Sequence, residues 1–359
     1  MPVNRASDLA VRCARYQASL RSLVDDDPLQ RAGRVTATFT AVFEVCVVMA
    51  TYNRIDHLRS AVAALSRQRD VTFEVVIADD GSSDGTLEYL TRVAQTSEKP
   101  FRFVTSGSNG GPAVARNTAW PLARAPFVAF TDDDCEPDPL WLRSLLDVAA
   151  ESGADIVQGR TIIDPDAPVT SPWFRGVSCE SFSDSYQTCN LLVRTSVLAE
   201  LGGFDESYPF AGEDRDLGWR ARERGFEAVF ATGALVVHAR RELTFRQLLQ
   251  VRKGWAEMVP FFKRHPEARR MLYRGLFFRK SHVTVLAVMV LGALMSAFIA
   301  LWWAIVLYAV YSMYIGLRIS FVGHPWTIRW RFAVTRPLAD CWEIAHFLVH
   351  SARHRTLVL

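Results

Sequence analysis

Phe127-Val128-Ala129-Phe130-Thr131-Asp132-Asp133-Asp134 passes from four apolar residues directly into three consecutive aspartates. Carboxylates closing a buried strand are costly unless a cation sits with them. A hard divalent cation takes oxygen ligands and usually keeps some of them from a phosphate. A metal ion with a bound diphosphate therefore accounts for the cluster.

Outward from this stretch, short β-branched runs alternate with helical patterns. Val45–Met49 precedes Ile55–Ser66, Phe73–Ala78 precedes Leu87–Ala94, Phe101–Val104 precedes Ala113–Ala123, and Phe127–Phe130 precedes Pro139–Ala150. This alternation predicts βαβ units on a largely parallel sheet. Ligands of such sheets bind at the carboxyl ends of the strands, where Asp79-Asp80 and Asp132–Asp134 fall. Farther on, Asp155–Gly159, Asn190–Val193 and Ala228–Ala231 read as strands. Ser196–Leu201 and Glu213–Arg224 read as helices, stopped by Gly202-Gly203 and Gly225.

The chain has 359 residues and a net charge of +3, unevenly spread. Residues 240–280 hold 12 Lys/Arg against 3 Asp/Glu, and residues 281–359 hold 6 against 2, so residues 1–239 carry a net −10. An acidic body suits a metal site. A basic collar suits anionic membranes or phosphate-bearing substrates. Six cysteines without a C-x-x-C pair argue against a zinc site or a disulfide framework and for a reducing compartment. The first 44 residues show no secretory signal and at most one amphipathic helix near Leu9–Leu23.

Val283 to Leu317, 35 residues, contains no Asp, Glu, Lys or Arg. Two membrane spans of the usual length of about 17–25 residues only just fit. Arg279 and Lys280 before the run and Arg318, Arg329 and Arg331 after it place both ends in the cytoplasm. The expectation is a membrane hairpin with Trp302-Trp303 near the far interface; a re-entrant pair and a buried helix pair are the alternatives. The collar, with Leu248, Leu249, Trp255, Val259, Phe261 and Phe262 among its charges, reads as a helix on a membrane surface or as a solvated basic face. The tail, with Leu338, Cys341, Trp342, Ala345, Leu348 and Val349 at helical spacing, repeats the pattern.

Several stretches carry polar chemistry. Asp79-Asp80-Gly81-Ser82-Ser83-Asp84-Gly85-Thr86 is a tight turn between strand and helix; Asp80 suits a nucleobase N–H, and Ser83 or Asp84 a helix cap. Ala50-Thr51-Tyr52-Asn53-Arg54 suits a base or ribose, or is a plain loop. Asn109-Gly110-Gly111-Pro112 enters a helix whose free N–H groups favour phosphate. Arg116 pairs either with phosphate or with the aspartates of 132–134. Glu213-Asp214-Arg215-Asp216 puts three acidic residues in a first turn, more than capping needs, so one is available as a general base. His238, at a strand end, is structural, completes a metal site or touches the diphosphate.

These stretches, with Asn190-Leu191-Leu192-Val193-Arg194 and Gly202-Gly203-Phe204-Asp205-Glu206, occur in the order seen in the family 2 glycosyltransferases, which the chain resembles from about Val45 to Arg240. The resemblance implies an α/β GT-A fold, Rossmann-like and mostly parallel with flanking helices, here followed by basic amphipathic and transmembrane helices. It implies inverting transfer from a nucleotide sugar, most often a UDP-sugar, with Mg²⁺ or Mn²⁺. By that resemblance Thr51, Tyr52, Asn53, Asp79 and Asp80 hold the nucleoside, and Arg116 stands near the diphosphate. Asp132–Asp134 bind ribose and metal, with Asp132 and Asp133 the donor candidates and Asp132 and Asp134 the metal candidates, Asp214 is the base, and Glu213 helps to orient the acceptor; His238 stays a metal candidate from its place at a strand end.

The resulting division is an extension (1–44), a catalytic domain (45–240), a basic collar (241–282), a hairpin (283–320) and an amphipathic tail (321–359). The expected setting is a bacterial inner membrane, with the catalytic domain cytoplasmic. The expected acceptor is a hydroxyl on a lipid-linked glycan, glycolipid or polysaccharide, and nucleic acid is not expected as a partner. Rival readings are a polyprenyl-phosphate glycosyl synthase, whose anionic acceptor needs no base, a nucleotidyltransferase, and a non-catalytic sugar-nucleotide-binding scaffold. A processive synthase is disfavoured because no Gln-x-x-Arg-Trp stretch occurs.

Overall fold

The computed structural model describes residues 43–208, 211–296, 302–318 and 326–359. The helix expected near Leu9–Leu23 lies outside them. The first half is built from β1 (Val45–Thr51), α1 (Ile55–Ser66), β2 (Phe73–Asp79), α2 (Thr86–Thr96), β3 (Phe101–Thr105), α3 (Pro112–Ala119), β4 (Phe127–Asp132), β5 (Cys135–Pro137) and α4 (Trp141–Ser152). The second half begins with β6 (Ile156–Ile163), β7 (Phe174–Arg175), β8 (Leu191–Arg194), α5 (Thr195–Leu201), α6 (Glu213–Glu223), β9 (Ala228–His238) and β10 (Arg241–Glu242). It continues with α7 (Phe245–Trp255), α8 (Val259–Arg264), α9 (Lys280–Ser296), α10 (Trp302–Arg318) and α11 (Trp326–His354).

Eight strands form one sheet in the order β3-β2-β1-β4-β8-β6-β9-β5. The β3-β2-β1-β4 half is parallel. Beyond it, β8 runs antiparallel to both neighbours, β6 and β9 are parallel, and β5 is antiparallel to β9. The α/β fold with flanking helices is as expected, and the far half of the sheet is mixed. Period-2 alternation explains why β1 is apolar throughout. Val45, Val47 and Met49 face the core under α1 and α4, while Cys46 and Val48 face the core under α3 and α5. A parallel strand covered on both faces has no position for a polar residue until it ends. Polar side chains therefore collect at the strand ends. Register places Thr51 beside Asp79 and Ala50 beside Asp132, so the carboxyl ends of β1, β2 and β4 open on one side.

The collar is not a solvated face. Ala256, Met258, Val259, Phe261 and Phe262 are buried in the same core as Phe130 and Leu217. Its apolar side is covered by protein rather than lipid. Phe347 and Val358 from the tail enter that core too, and Leu359 donates its N–H to the Leu276 carbonyl at 3.0 Å. Arg252 pairs with Asp340 and Glu343, Arg279 and His282 reach Glu343, and Arg336 reaches Asp340. These buried ion pairs tie tail to collar.

The crossing hairpin needs correction. Among the described residues no helix is long and apolar enough to cross a membrane. α9 and α10 are each described over 17 residues. The apolar run does form two packed helices, which leave Met289, Val290, Leu291, Ile305, Val310 and Met313 exposed. Residues 297–301, between them, lie outside the described residues.

One close approach locks β6 and β9 to α4 at the start of β8. Asn190 accepts from Trp141 Nε1 at 2.8 Å and donates to the carbonyls of Arg160 and Ala234, each at 2.9 Å. A Cβ on Gly159 would stand 2.2 Å from its Oδ1. Gly159→Ala must displace a side chain held by three hydrogen bonds. It is expected to destabilise the protein by about 1–3 kcal/mol, read as a lower midpoint in urea denaturation.

Candidate functional site

The strand ends line a cleft of about 940 Å³, at the upper end for small-ligand sites. Thr51, Tyr52, Asn53, Asp80, Arg116, Asp132, Asp133, Asp134, Glu213, Asp214 and His238 all border it. Asp79 does not. Its carboxylate accepts from the Ser82 N–H at 3.1 Å and from Thr105 Oγ1 at 3.3 Å, which closes its own turn.

The three aspartates have different partners because β4 ends at Asp132 and the chain turns at Asp133-Asp134 before β5. Asp132 Oδ1 accepts from Arg116 at 2.9 Å. Asp133 accepts from Thr51 Oγ1 at 2.8 Å and from Arg54 at 2.9 Å. Asp134 Oδ2 accepts from the same Arg54 nitrogen at 3.0 Å, and its Oδ1 faces His238 Nε2 at 3.6 Å. Burial raises the Asp132 carboxyl, but the charges of Arg116, His238 and Arg54 outweigh it and hold it below the usual range. For Asp133 burial wins over Arg54 and pushes the carboxyl up to about 6.

His238 is brought here by register, since β9 pairs with β5 so that His238 lies opposite Cys135. Its Nδ1 stands 2.9 Å from the Ala239 carbonyl. A carbonyl can only accept, so Nδ1 carries a proton, and Nε2 is the ring nitrogen that faces Asp134. A backbone-anchored imidazole of this kind is the usual preparation for metal ligation. Asp134, Cys135 and His238 offer donor atoms within 4.8 Å of one another. Two facing lone-pair atoms fit a cation between them. Asp134 and His238 therefore suit Mn²⁺ or Mg²⁺, with the remaining positions left to water and phosphate oxygens. Asp132, expected as a further ligand, is instead turned to Arg116.

Arg116 is buried and doubly engaged, to Asp132 and, at 2.9 Å, to Glu213. Its side chain is thus a bridge between β4 and the start of α6 rather than a free phosphate ligand. It lies over the Phe204 ring. Asn117 holds that loop by donating to the Phe204 carbonyl and accepting from the Phe204 N–H, both at 2.8 Å.

The acidic first turn of α6 divides three ways. Glu213 takes Arg116. Asp216 is fully buried, bound to Arg220, Arg264, His265 and Tyr208. Among the described residues Asp214 accepts only from its neighbour's N–H, Arg215 N at 2.7 Å, and it borders the cleft. Burial, reinforced by the charge of Glu213, pushes the Asp214 carboxyl up to about 7. A carboxylate of that basicity, bordering the cleft, is suited to general-base work.

Asp80 departs from its expected role. Its Oδ1 accepts from Gly110 N at 2.9 Å and its Oδ2 from Gly111 N at 2.8 Å. The glycine-rich turn therefore gives these N–H groups to Asp80, not to a phosphate. Asn53, in the left-handed region at φ 51°, accepts from Ser83 N at 2.7 Å and clasps the neighbouring turn. Asp84 serves two helices, accepting from Ile55 N of α1 and from Thr86 of α2. Tyr52 is exposed at the cleft edge.

Arg54, from the stretch read for a base or ribose, borders the cleft, as do Arg175, Arg215, Arg241 and Trp255, which were not expected there. Arg54 was legible as a cation following a strand end. Trp255, under the Arg215 guanidinium, comes from the collar, where its aromatic ring read only as part of an amphipathic face.

Comparison with known proteins gives a consistent result. The model of "Glycosyl transferase family 2" matches residues 46–201, and that of "Glycosyl transferase family group 2" matches residues 127–316. The glycosyltransferase AglE of Haloferax volcanii is 26% identical over 246 residues, covering 65% of this chain and 79% of its own. The N-acetylglucosaminyl-diphospho-decaprenol L-rhamnosyltransferase of Mycobacterium tuberculosis is 29% identical over 244 residues, covering 56% and 77%. The chain spans about half the length of other curated relatives. The mannosyltransferase PcManGT of Pyrobaculum calidifontis, solved with GDP-Man and Mn²⁺, superposes over 96% of both chains with a TM-score of 0.60 at 19% identity, a likeness of fold.

Removing Arg116 leaves Glu213 and Asp132 facing each other without a counter-charge. Arg116→Ala is expected to cost about 3–5 kcal/mol, as for other broken buried pairs, measured by urea denaturation. An unchanged midpoint would show that the bridge does not hold α6 to the sheet.

Proposed function

The chain belongs to glycosyltransferase family 2 and is a glycosyltransferase, and we propose that it moves a sugar, with inversion, from a nucleoside diphosphate to a hydroxyl of a lipid-linked or polysaccharide acceptor. The observation that carries this reading is one cleft holding both Asp134 with His238 and the basic carboxylate Asp214.

In this mechanism Asp214 accepts the acceptor hydroxyl proton while that oxygen attacks the anomeric carbon. The bond from that carbon to the diphosphate oxygen breaks on the opposite face, and its electron pair leaves with the nucleoside diphosphate. Glu213, fixed by Arg116, keeps Asp214 at the cleft wall and raises its basicity. Asp134 and His238 would hold Mn²⁺ or Mg²⁺, which supplies Lewis-acid neutralisation of the leaving diphosphate; the fold neighbour PcManGT was solved with GDP-Man and Mn²⁺. Tyr52 and Thr51 stand at the ends of β1 for the nucleoside, with uridine the expected base. Asp133, tied to Thr51 and Arg54, sits beside them for the ribose.

The acceptor reading is supported by the exposed apolar residues of α9 and α10 and by Trp330, Leu338 and Trp342 of α11. Such a face, with Arg331 and Arg353 on the same tail helix, suits adsorption to an anionic membrane surface. It fits a cytoplasmic-facing enzyme lying on a bacterial inner membrane. The rhamnosyltransferase relative is named for a diphospho-decaprenol acceptor.

The test is nucleotide release by the purified chain across UDP-, GDP- and dTDP-sugars with Mn²⁺ or Mg²⁺. One donor should be turned over. Asp134→Ala should abolish release, and Asp214→Asn should keep donor binding while lowering transfer by about 10²–10⁴-fold. Binding of no sugar nucleotide by a folded protein would overturn the reading.

The base assignment also sets a pH profile. Asp214 works only when deprotonated, so kcat/KM should fall about tenfold per unit below the ionisation and level off above it. With its carboxyl pushed up to about 7, the bend belongs near neutrality. A profile flat from pH 5 to 8 would exclude Asp214 as the base.

A further inference from the structure

His265, the residue after α8, is buried with only 1% of its side chain exposed, and both of its ring nitrogens face α6. Nε2 stands 3.2 Å from Asp216 Oδ1, and Nδ1 stands 2.7 Å from Glu223 Oε1. Asp216 lies in the first turn of α6 and Glu223 is its last residue. An ionised carboxylate accepts and cannot donate, so both nitrogens carry protons and the ring is an imidazolium. Burial alone would lower its basicity, but the hydrogen bonds to Asp216 and Glu223 outweigh burial and hold His265 above the ordinary histidine value. Burial likewise raises the Asp216 carboxyl, but the hydrogen bond from His265 and the charge of Arg220 outweigh it and hold it down to about 2.

The other charged groups around the ring have different tasks. Arg220 and Arg264 reach the same Asp216 carboxylate, and the Tyr208 hydroxyl donates to it. Arg264 also bonds Asp205. Arg222 and Arg270 lie over the Trp219 ring, against which, with Phe261, the imidazole packs. Among these groups His265 alone joins the first turn of α6 to its last residue, and it alone is of a type that changes charge near neutral pH. A neutral ring keeps one N–H and turns a lone pair toward the other carboxylate, so it cannot hold both.

We infer that His265 is a positioning residue for the base: by bonding Asp216 and Glu223 at once it holds α6 against the collar, and with α6 it holds Asp214 at the cleft wall. The inference rests on the reading of Asp214 as the base. Asp214 stands two residues before Asp216 in the same turn and moves with it. A group whose ionisation is raised by folding stabilises below its ordinary value and loses that stabilisation as pH rises through the raised one. The clamp is therefore closed below the His265 ionisation and opens above it, whereas Asp214 must lose its proton to act. The plateau of kcat/KM above the Asp214 ionisation then ends in an alkaline limb that belongs to a residue outside the cleft.

Nitrogen NMR of the full chain labelled with ¹⁵N-histidine reads the ring directly, with His265→Gln identifying the signal. Both His265 nitrogens should be protonated at neutral pH, and one proton should leave above the ordinary histidine range. Glu223→Gln, a change at a half-exposed side chain, should lower that ionisation. The alkaline limb of kcat/KM, read as nucleotide release from the donor, should follow it to lower pH in Glu223→Gln and be absent from His265→Gln. In His265→Gln kcat should fall about ten- to hundredfold, as for a slightly misplaced catalytic group, with the donor Kd unchanged; a purely structural role would leave the limb where it is. A His265 ring that is neutral at neutral pH, or a limb that ignores the substitutions, would overturn the inference, and Glu223→Gln decides this even where His265→Gln does not fold. A doubly protonated ring in a folded protein that binds no sugar nucleotide would instead overturn the transferase reading and leave the clamp standing.

Discussion

The guanidinium of Arg116 stands between carboxylates that reach it from two separate parts of the chain, Asp132 at the end of β4 and Glu213 at the start of α6. Each is expensive to bury alone. Joined, they fix the distance between the acidic strand end and the helix that carries Asp214. Phe204 supports the guanidinium from below, and Asn117 holds the Phe204 loop. The cleft is therefore positioned by an internal ion bridge rather than by contact with any ligand.

Charge is distributed around that bridge with little duplication. Of the aspartates at 132–134, one faces Arg116, one is shared by Thr51 and Arg54, and one turns an oxygen to His238. Of the acids opening α6, one holds Arg116, one is locked beneath Arg220, Arg264 and His265, and one stays at the cleft wall with little to stabilise its charge. Identical side chains a residue or two apart have different ionisation because the strand end, the turn after it and the helix direct them toward different neighbours.

Much of this was legible in the sequence. The units from Val45 to Ala150 were readable because strands covered on both faces are continuously apolar and end where polar residues begin. α1 was read at its observed bounds for that reason. β5, β7 and β10 were not readable, because strands of two or three residues exist only through distant partners. The turn at Gly110-Gly111 is instructive. Free N–H groups entering a helix do attract an anion, but here that anion is Asp80, 30 residues away, and no local pattern reveals it. The collar and the apolar run show the same limit. Periodicity says that one side of a helix is apolar, not whether protein or lipid covers it. Phe261 and Trp255 went into the core and the cleft.

The tail's insertion beneath the sheet has a practical side. Sequence alone invites a trimmed catalytic unit that stops before the apolar helices. Such a cut would remove Phe347 and Val358 from the main core and strip Arg252 and Arg279 of their buried carboxylate partners. The same core encloses Met258, which touches Arg215 beside the proposed base. What looks like a detachable anchor is in effect the floor of the catalytic body, and a more soluble version would come from recolouring its exposed apolar face with polar residues rather than from deletion.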